Sequence, residues 1–184
     1  FIMGGSQGAR SINMIAPKAI SLLMADLPVE VMHDSGEKDF EVVNDQYLEL
    51  GIDAKITRFN PNIEKVYEWA DLLISRAGAM TVSEASAIGL PSILIPFPHA
   101  MDNHQWFNAQ FLAKKGGAEV ILDKDLTPEI LSKAIKEIFL KEGKLSGMAE
   151  AAFDETFLNA TQNVAQFCYE KIEQPPLKDI KGYM

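Results

Sequence analysis

Apolar residues along this chain fall into two alternating patterns. Unbroken short runs at 1–3, 29–33, 54–59, 71–75, 92–96 and 118–122 read as buried strands. Between them, apolar positions recur at helical spacing over 10–25, 37–50, 63–70, 80–89 and 103–115. In the second of these, Phe40, Val43, Tyr47 and Leu50 mark one face and Gly51 closes it. Only helices follow the last strand. Thr127-Pro128-Glu129 is a cap with proline at the first helical position, and Ile130, Ala134 and Ile138 run beside Leu131, Ile135 and Phe139. Helices are also expected at 144–154 and 160–172, the last with a stripe of Val164, Phe167, Cys168 and Ile172. Gln174-Pro175-Pro176 then begins a tail with little to bury, so one domain is expected over 1–172 and a flexible end over 173–184. Strand and helix in alternation predict an α/β fold, a Rossmann-like doubly wound parallel sheet of about six strands.

Composition narrows the partners. With 184 residues and 47% hydrophobic content, the chain can bury a real core. A formal charge of −9 argues against nucleic acid as a partner and against docking on anionic lipid. No apolar run of about 18 residues is present to span a membrane. A single cysteine, Cys168, excludes an internal disulfide and fits a reducing compartment. Phe1-Ile2-Met3 reads as the end of a strand running into Gly4-Gly5, so the chain is expected to be cut from something longer.

In an open α/β sheet, ligands gather beyond the carboxyl ends of the strands, and the loops there hold the unusual residues. The stretch Ser75-Arg76-Ala77-Gly78-Ala79-Met80-Thr81-Val82-Ser83-Glu84 reads as a strand end, a turn at Gly78 and a helix start. Unpaired N–H groups and the macrodipole at such a start suit a phosphate, and Glu84 one turn further in can accept from a diol such as a ribose. The same residues also fit an ordinary helix start, with Thr81 or Ser83 as cap. Gly4-Gly5-Ser6-Gln7-Gly8-Ala9-Arg10 links a strand to a helix without a G-x-G-x-x-G pattern or a P-loop lysine. It matches the G-x-S-x-G elbow of hydrolases, with Asp71, Asp102 or Asp123 and His99 or His104 as partners for Ser6. Asp34, in His33-Asp34-Ser35-Gly36, stands where a dinucleotide enzyme holds a ribose, but a polar strand end explains it more simply. His99, Asp102 and His104 lack an obvious third metal ligand, and Asp102 or Asn103 more simply caps the helix that carries Gln105. Asp123-Lys124-Asp125 spells D-x-D, read as loop chemistry beside the Thr127 cap.

Taken together, these stretches resemble the MurG family, bacterial glycosyltransferases that add N-acetylglucosamine to a lipid-linked peptidoglycan precursor. The matching pieces are Gly4 to Arg10, His33 with Ser35-Gly36, Arg76 with Gly78-Ala79, Thr81 to Glu84, and Pro96-Phe97 with His99, Gln105 and Asn108-Ala109. Order and spacing agree across roughly residues 1–125, and the set is specific though each motif is weak. The resemblance covers only the C-terminal half of that family, the donor-binding domain of the glycosyltransferase-B fold, and implies that the last helix, 160–172, crosses back onto an N-terminal domain. It implies that UDP-N-acetylglucosamine binds here without a cofactor or metal. Ser6 would touch the donor phosphate region, Ala79, Met80 and Thr81 would lie against the diphosphate, Glu84 would hold the ribose, and Gln105 the sugar hydroxyls. Val82 and Ser83 belong to the same motif, Asn60 falls where main-chain groups read uracil, and Gly5, Gln7, Arg76 and His104 are further candidates. His104 departs from the glutamine of some members. The acceptor, the membrane contact and the catalytic base would belong to an N-terminal half, placing the full protein in the cytoplasm or on the cytoplasmic face of the membrane. The alternatives are a related transferase with another acceptor, or a hydrolase using Ser6.

Overall fold

The computed structural model describes residues 1–4 and 9–173. Its strands are β1 (Ile2–Met3), β2 (Val31–Asp34), β3 (Ala54–Thr57), β4 (Leu73–Ser75), β5 (Ser92–Leu94) and β6 (Ala118–Val120). They form one parallel sheet in the order β3-β2-β1-β4-β5-β6. The apolar runs outlast these ladders. Leu72 and Ile95 are buried just beyond the ends of β4 and β5, so burial, which the pattern reports, extends further than pairing.

The helices are α1 (Arg10–Leu23), α2 (Phe40–Glu49), α3 (Ile63–Trp69), α4 (Ala79–Ile88), α5 (His104–Lys115), α6 (Pro128–Leu140), α7 (Lys144–Ala152) and α8 (Ala160–Glu173). Successive strand residues point to opposite layers, which gives the sheet two cores. Ile74 and Ile93 pack with Ile12 and Ile20 of α1, Val43 and Tyr47 of α2, and Leu131, Ile135 and Ile138 of α6. Leu73 and Leu94 pack with Val66 and Tyr67 of α3, Val82 and Ala85 of α4, and Ala109 and Leu112 of α5. α7 joins both cores at the β6 end, with Met148 in the first and Ala152 in the second.

Most predicted helix faces hold; the stripe over 160–172 is exposed throughout, and elsewhere three residues depart. Leu50, Ile88 and Ile130 are exposed, because each lies at the border of the buried arc. In α4 the buried residues are Val82, Ala85 and Ser86. Gly89 adopts φ +68° after α4, a left-handed cap that needs no Cβ. Thr127 Oγ1 accepts from the Ile130 N–H at 3.2 Å, and Pro128 occupies the first turn as the sequence implied.

Candidate ligand cleft at the switch point

Strand order reverses between β1 and β4, and the helices that follow them, α1 and α4, pack on opposite faces of the sheet, which leaves a crevice. A cleft of about 740 Å³ lies there, at the strands' carboxyl ends, a size suited to a nucleotide-like ligand. Its walls come from Met3 and Gly4 at the end of β1, residues between Ser75 and Glu84 around the start of α4, and residues between Phe97 and Gln105 leading into α5. A smaller cavity of about 370 Å³ lies at the opposite end of the strands, lined by Phe1, Leu23, Leu27, Trp69 and Phe139 with Glu30 and Asp71 beside them.

The start of α4 forms one wall. Gly78 is its N-cap, in extended conformation, and no side chain of the described residues caps it. Neither Thr81 nor Ser83 does so, contrary to the simpler reading of this stretch. The first intrahelical bond runs from the Val82 N–H to the Gly78 carbonyl at 3.0 Å. The N–H groups of Ala79, Met80 and Thr81 therefore have no acceptor within the helix, and all three residues line the cleft. Val82 is buried in the core and contributes no side chain here, and Ser83 lies off the cleft wall.

Arg76 fastens the floor. Its guanidinium donates to the Ile95 and Pro96 carbonyls at 3.1 and 3.3 Å, and to Ser11 Oγ at 2.9 Å. It also pairs with Asp123 at 2.6 Å, and Ser11 donates to the same carboxylate at 2.6 Å. Four segments distant in sequence are tied at one planar cation, and Phe97 covers it at 5.5 Å. Asp123, the first residue of the D-x-D, thus has a definite job: it holds Arg76. Asn108 anchors the same turn from α5, donating to the Ala77 carbonyl at 3.0 Å.

The third wall is the loop before α5. Gln105 Oε1 accepts from the Phe97 N–H at 2.9 Å, which leaves its NH₂ end to donate elsewhere. His104 Nδ1 lies 2.8 Å from the Met101 carbonyl. That contact requires a proton on Nδ1, so neutral His104 offers Nε2 as an acceptor. Asp102 and Asn103 have φ of +50° and +54°, and Asn103 occupies the cap position without capping through its side chain. The proposed side-chain cap at 102 or 103 is therefore replaced by a left-handed turn, a conformation Asp and Asn tolerate better than most residues.

Glu84 projects from the second turn of α4 into the cleft wall, and Tyr67 of α3 donates to its Oε2 at 3.0 Å. Tyr67 escaped the sequence reading, since nothing linear ties a helix tyrosine to a carboxylate on the next helix. Ser11 escaped for the same reason. Asn60 lies outside the cleft wall, where its Oδ1 accepts from the Asn62 N–H at 3.0 Å in a local turn. Asp34 accepts from the Thr57 hydroxyl and the Asn60 N–H, and burial raises its carboxyl above the ordinary value. It behaves as the polar strand end expected. Gly5, Ser6 and Gln7 lie outside the described residues, as does the tail after 173. Neither His99 nor His104 hydrogen-bonds an aspartate among the described residues, so the histidine–aspartate pair of the hydrolase reading is not assembled. No three His, Cys, Asp or Glu side chains gather as a metal site among those residues.

The family model for the glycosyltransferase family 28 C-terminal domain matches residues 1–164. The chain belongs to that family. Among the relatives of this family 28 domain is the UDP-N-acetylglucosamine--N-acetylmuramyl-(pentapeptide) pyrophosphoryl-undecaprenol N-acetylglucosamine transferase of Pseudomonas putida. It is 40% identical over 169 residues, covering 92% of this chain and 47% of the relative. The Marinobacter nauticus protein of the same name is 41% identical over 170 residues, with 92% and 47% coverage. The crystal structure of Acinetobacter baumannii MurG superposes with a TM-score of 0.83 at 32% identity, over 92% of this chain and 51% of that one. The glycosyltransferase VinC matches the fold at 18% identity and a TM-score of 0.64, over 94% and 41%. The family 28 domain is thus a glycosyltransferase-B C-terminal domain, and the chain spans about half the length of the curated relatives it matches. Among its described residues no helix is long and apolar enough to cross a membrane.

Proposed function

We propose that this chain is the donor-binding half of an inverting transferase that moves N-acetylglucosamine from UDP to a lipid-linked muramyl-pentapeptide. The observation that carries the reading is the cleft itself. The unpaired N–H groups of Ala79 to Thr81, the Glu84 carboxylate and the Gln105 amide line one cavity at the switch point of a family 28 domain. In this reading the diphosphate lies on the start of α4, where backbone donors and the dipole stabilise the charge that grows on departing UDP. Glu84 accepts from the ribose hydroxyls, and Gln105 and His104 face the sugar. Arg76 holds the loops that shape the floor. Ser6, with Gly5 and Gln7 beside it, contributes to the phosphate region, and Asn60 supplies main-chain groups toward uracil. The acceptor's C4 hydroxyl attacks the anomeric carbon, the bond to the UDP oxygen breaks, and a base takes the hydroxyl proton. That base, the acceptor site and the membrane contact belong to a second half, on the cytoplasmic face of the membrane.

Calorimetry on this chain with UDP-N-acetylglucosamine, UDP-glucose and NAD tests the reading. UDP-N-acetylglucosamine is expected to bind most tightly and NAD least. The chain alone should transfer no sugar, and transfer should return when a matching N-terminal half is joined to it. NAD binding as tight as that of the UDP-sugar, or turnover by the isolated chain, would overturn the proposal.

A further inference from the structure

We infer that Tyr67 is a positioning residue for nucleotide binding: its hydroxyl holds the Glu84 carboxylate in the orientation that accepts a vicinal diol. The inference rests on the proposed role of Glu84 and adds a residue that touches no ligand itself.

Tyr67 is 6% exposed, packed in the core between β4 and α4, with its ring edge-on to Phe1 at 6.1 Å. Its hydroxyl emerges at the carboxyl ends of the strands and meets two acceptors. One is Glu84 Oε2 at 3.0 Å, the other the Met3 sulfur at 3.6 Å. A single proton serves one of them at a time, and a carboxylate attracts it far more strongly than a thioether. Burial, and next the charge of Glu84, push the phenol above its ordinary value, so the proton stays on the tyrosine across the physiological range. The tyrosine is therefore a constant donor, mounted on a rigid helix and aimed at one oxygen.

A glutamate on a helix surface otherwise samples several rotamers, and its terminal torsion is broad. One fixed donor on Oε2 restrains that torsion. Each carboxylate oxygen has about two lone-pair sites, so a lone pair on Oε2 and both on Oε1 remain for a ligand. Among the described residues Glu84 has no other protein hydrogen-bond donor. Two hydroxyls on adjacent ring carbons match such a restrained carboxylate. Restraint before binding removes ordering that the ligand would otherwise have to impose. A buried tyrosine also needs a partner for its own sake, and that structural need predicts lost stability without any change in ligand discrimination.

The two accounts separate in an experiment on this chain. Binding of UDP and of 2′,3′-dideoxy-UDP is measured by calorimetry for the native chain, Tyr67→Phe, Glu84→Gln and the double variant. Phenylalanine keeps the ring and its contact with Phe1, and a thermal melt without nucleotide records any change in stability. The native chain should prefer UDP, and Glu84→Gln should remove most of that preference, by roughly ten-fold or more. Tyr67→Phe should narrow the preference by about 3- to 10-fold and leave dideoxy-UDP affinity unchanged. The double variant should resemble Glu84→Gln, because Tyr67 acts through Glu84. If Tyr67→Phe weakens both nucleotides equally, or keeps the native preference while Glu84→Gln loses it, the positioning role is wrong. If Glu84→Gln keeps the native preference, the ribose role of Glu84 fails and this inference falls with it.

Discussion

His33 stands at the end of β2 in the motif shared with the family resemblance, yet it lines no part of the cleft. It is fully buried, with Nε2 at 3.1 Å from Asn13 Oδ1 and Nδ1 at 3.2 Å from the Tyr47 hydroxyl. Asn13 spends both amide protons on the Ser35 carbonyl and Asp39, at 2.8 and 2.9 Å, so its oxygen must accept. The proton of His33 is therefore on Nε2, and Tyr47 donates to Nδ1. Through this chain one neutral imidazole ties α1, β2 and α2 together. Burial lowers its pKa to about 3, against about 6.5 unfolded. The unfolded chain then binds a proton between these values and the folded chain does not, so stability must rise with pH in that window. It should be complete above about pH 6.5 and fall below it, with a slope of up to about 1.4 kcal/mol per pH unit from this group. Urea melts from pH 4 to 7 should show a flatter dependence in His33→Gln than in the native chain. An unchanged slope would mean His33 protonates in place.

Among the elements, the join between β6 and α7 depends on one missing methyl group. A Cβ on Gly117 would lie 2.6 Å from Ala152 Cα and 2.8 Å from its nitrogen and Cβ, contacts only a backbone shift relieves. Gly117→Ala should therefore cost about 1–3 kcal/mol, as overpacking does, read as a lower urea midpoint with an unchanged denaturant slope. A midpoint equal to the native one would show that α7 is free to slide. Cap chemistry at Thr127 was legible because it is local: the hydroxyl, the proline and the first free N–H lie within four residues. The start of α5 was not legible in that way. Its left-handed turn at Asp102 and Asn103 accompanies a loop that Gln105 bonds back to Phe97, a choice made by the whole loop.

At the scale of the molecule, α8 stands apart from both cores. Every residue from Leu158 to Ile172 is exposed, including Val164 at 64%, Phe167 at 58% and Ile172 at 78%. An apolar stripe left uncovered among the described residues has the character of an association surface. We propose that in the full-length protein it packs on the other half, as the resemblance implies. On a dilute monomer of this chain, hydrogen exchange over 160–172 should be far faster than over β1, β4 and β5. Protection equal to that of the central strands would place the helix in this domain's own core.

What the sequence determined by itself was whatever short-range physics decides. Alternating apolar runs and helical stripes set the order of strands and helices, since the two periods cannot be exchanged without burying polar groups. Right-handed crossovers then leave few sheet orders for six parallel strands, and ligand-side loops follow from the carboxyl ends. Ala79, Met80, Thr81, Glu84 and Gln105, which line the cleft, stood out in the sequence because glycine turns and helix starts mark them locally. Tertiary structure alone decided how those residues are held. Arg76 meets Asp123 and Ser11, Ser11 meets Asp123, and Tyr67 meets Glu84, across separations of 17 to 112 residues. Hydrogen bonds act over about 3 Å, and no pattern along the chain encodes which distant groups the folded sheet brings within that reach.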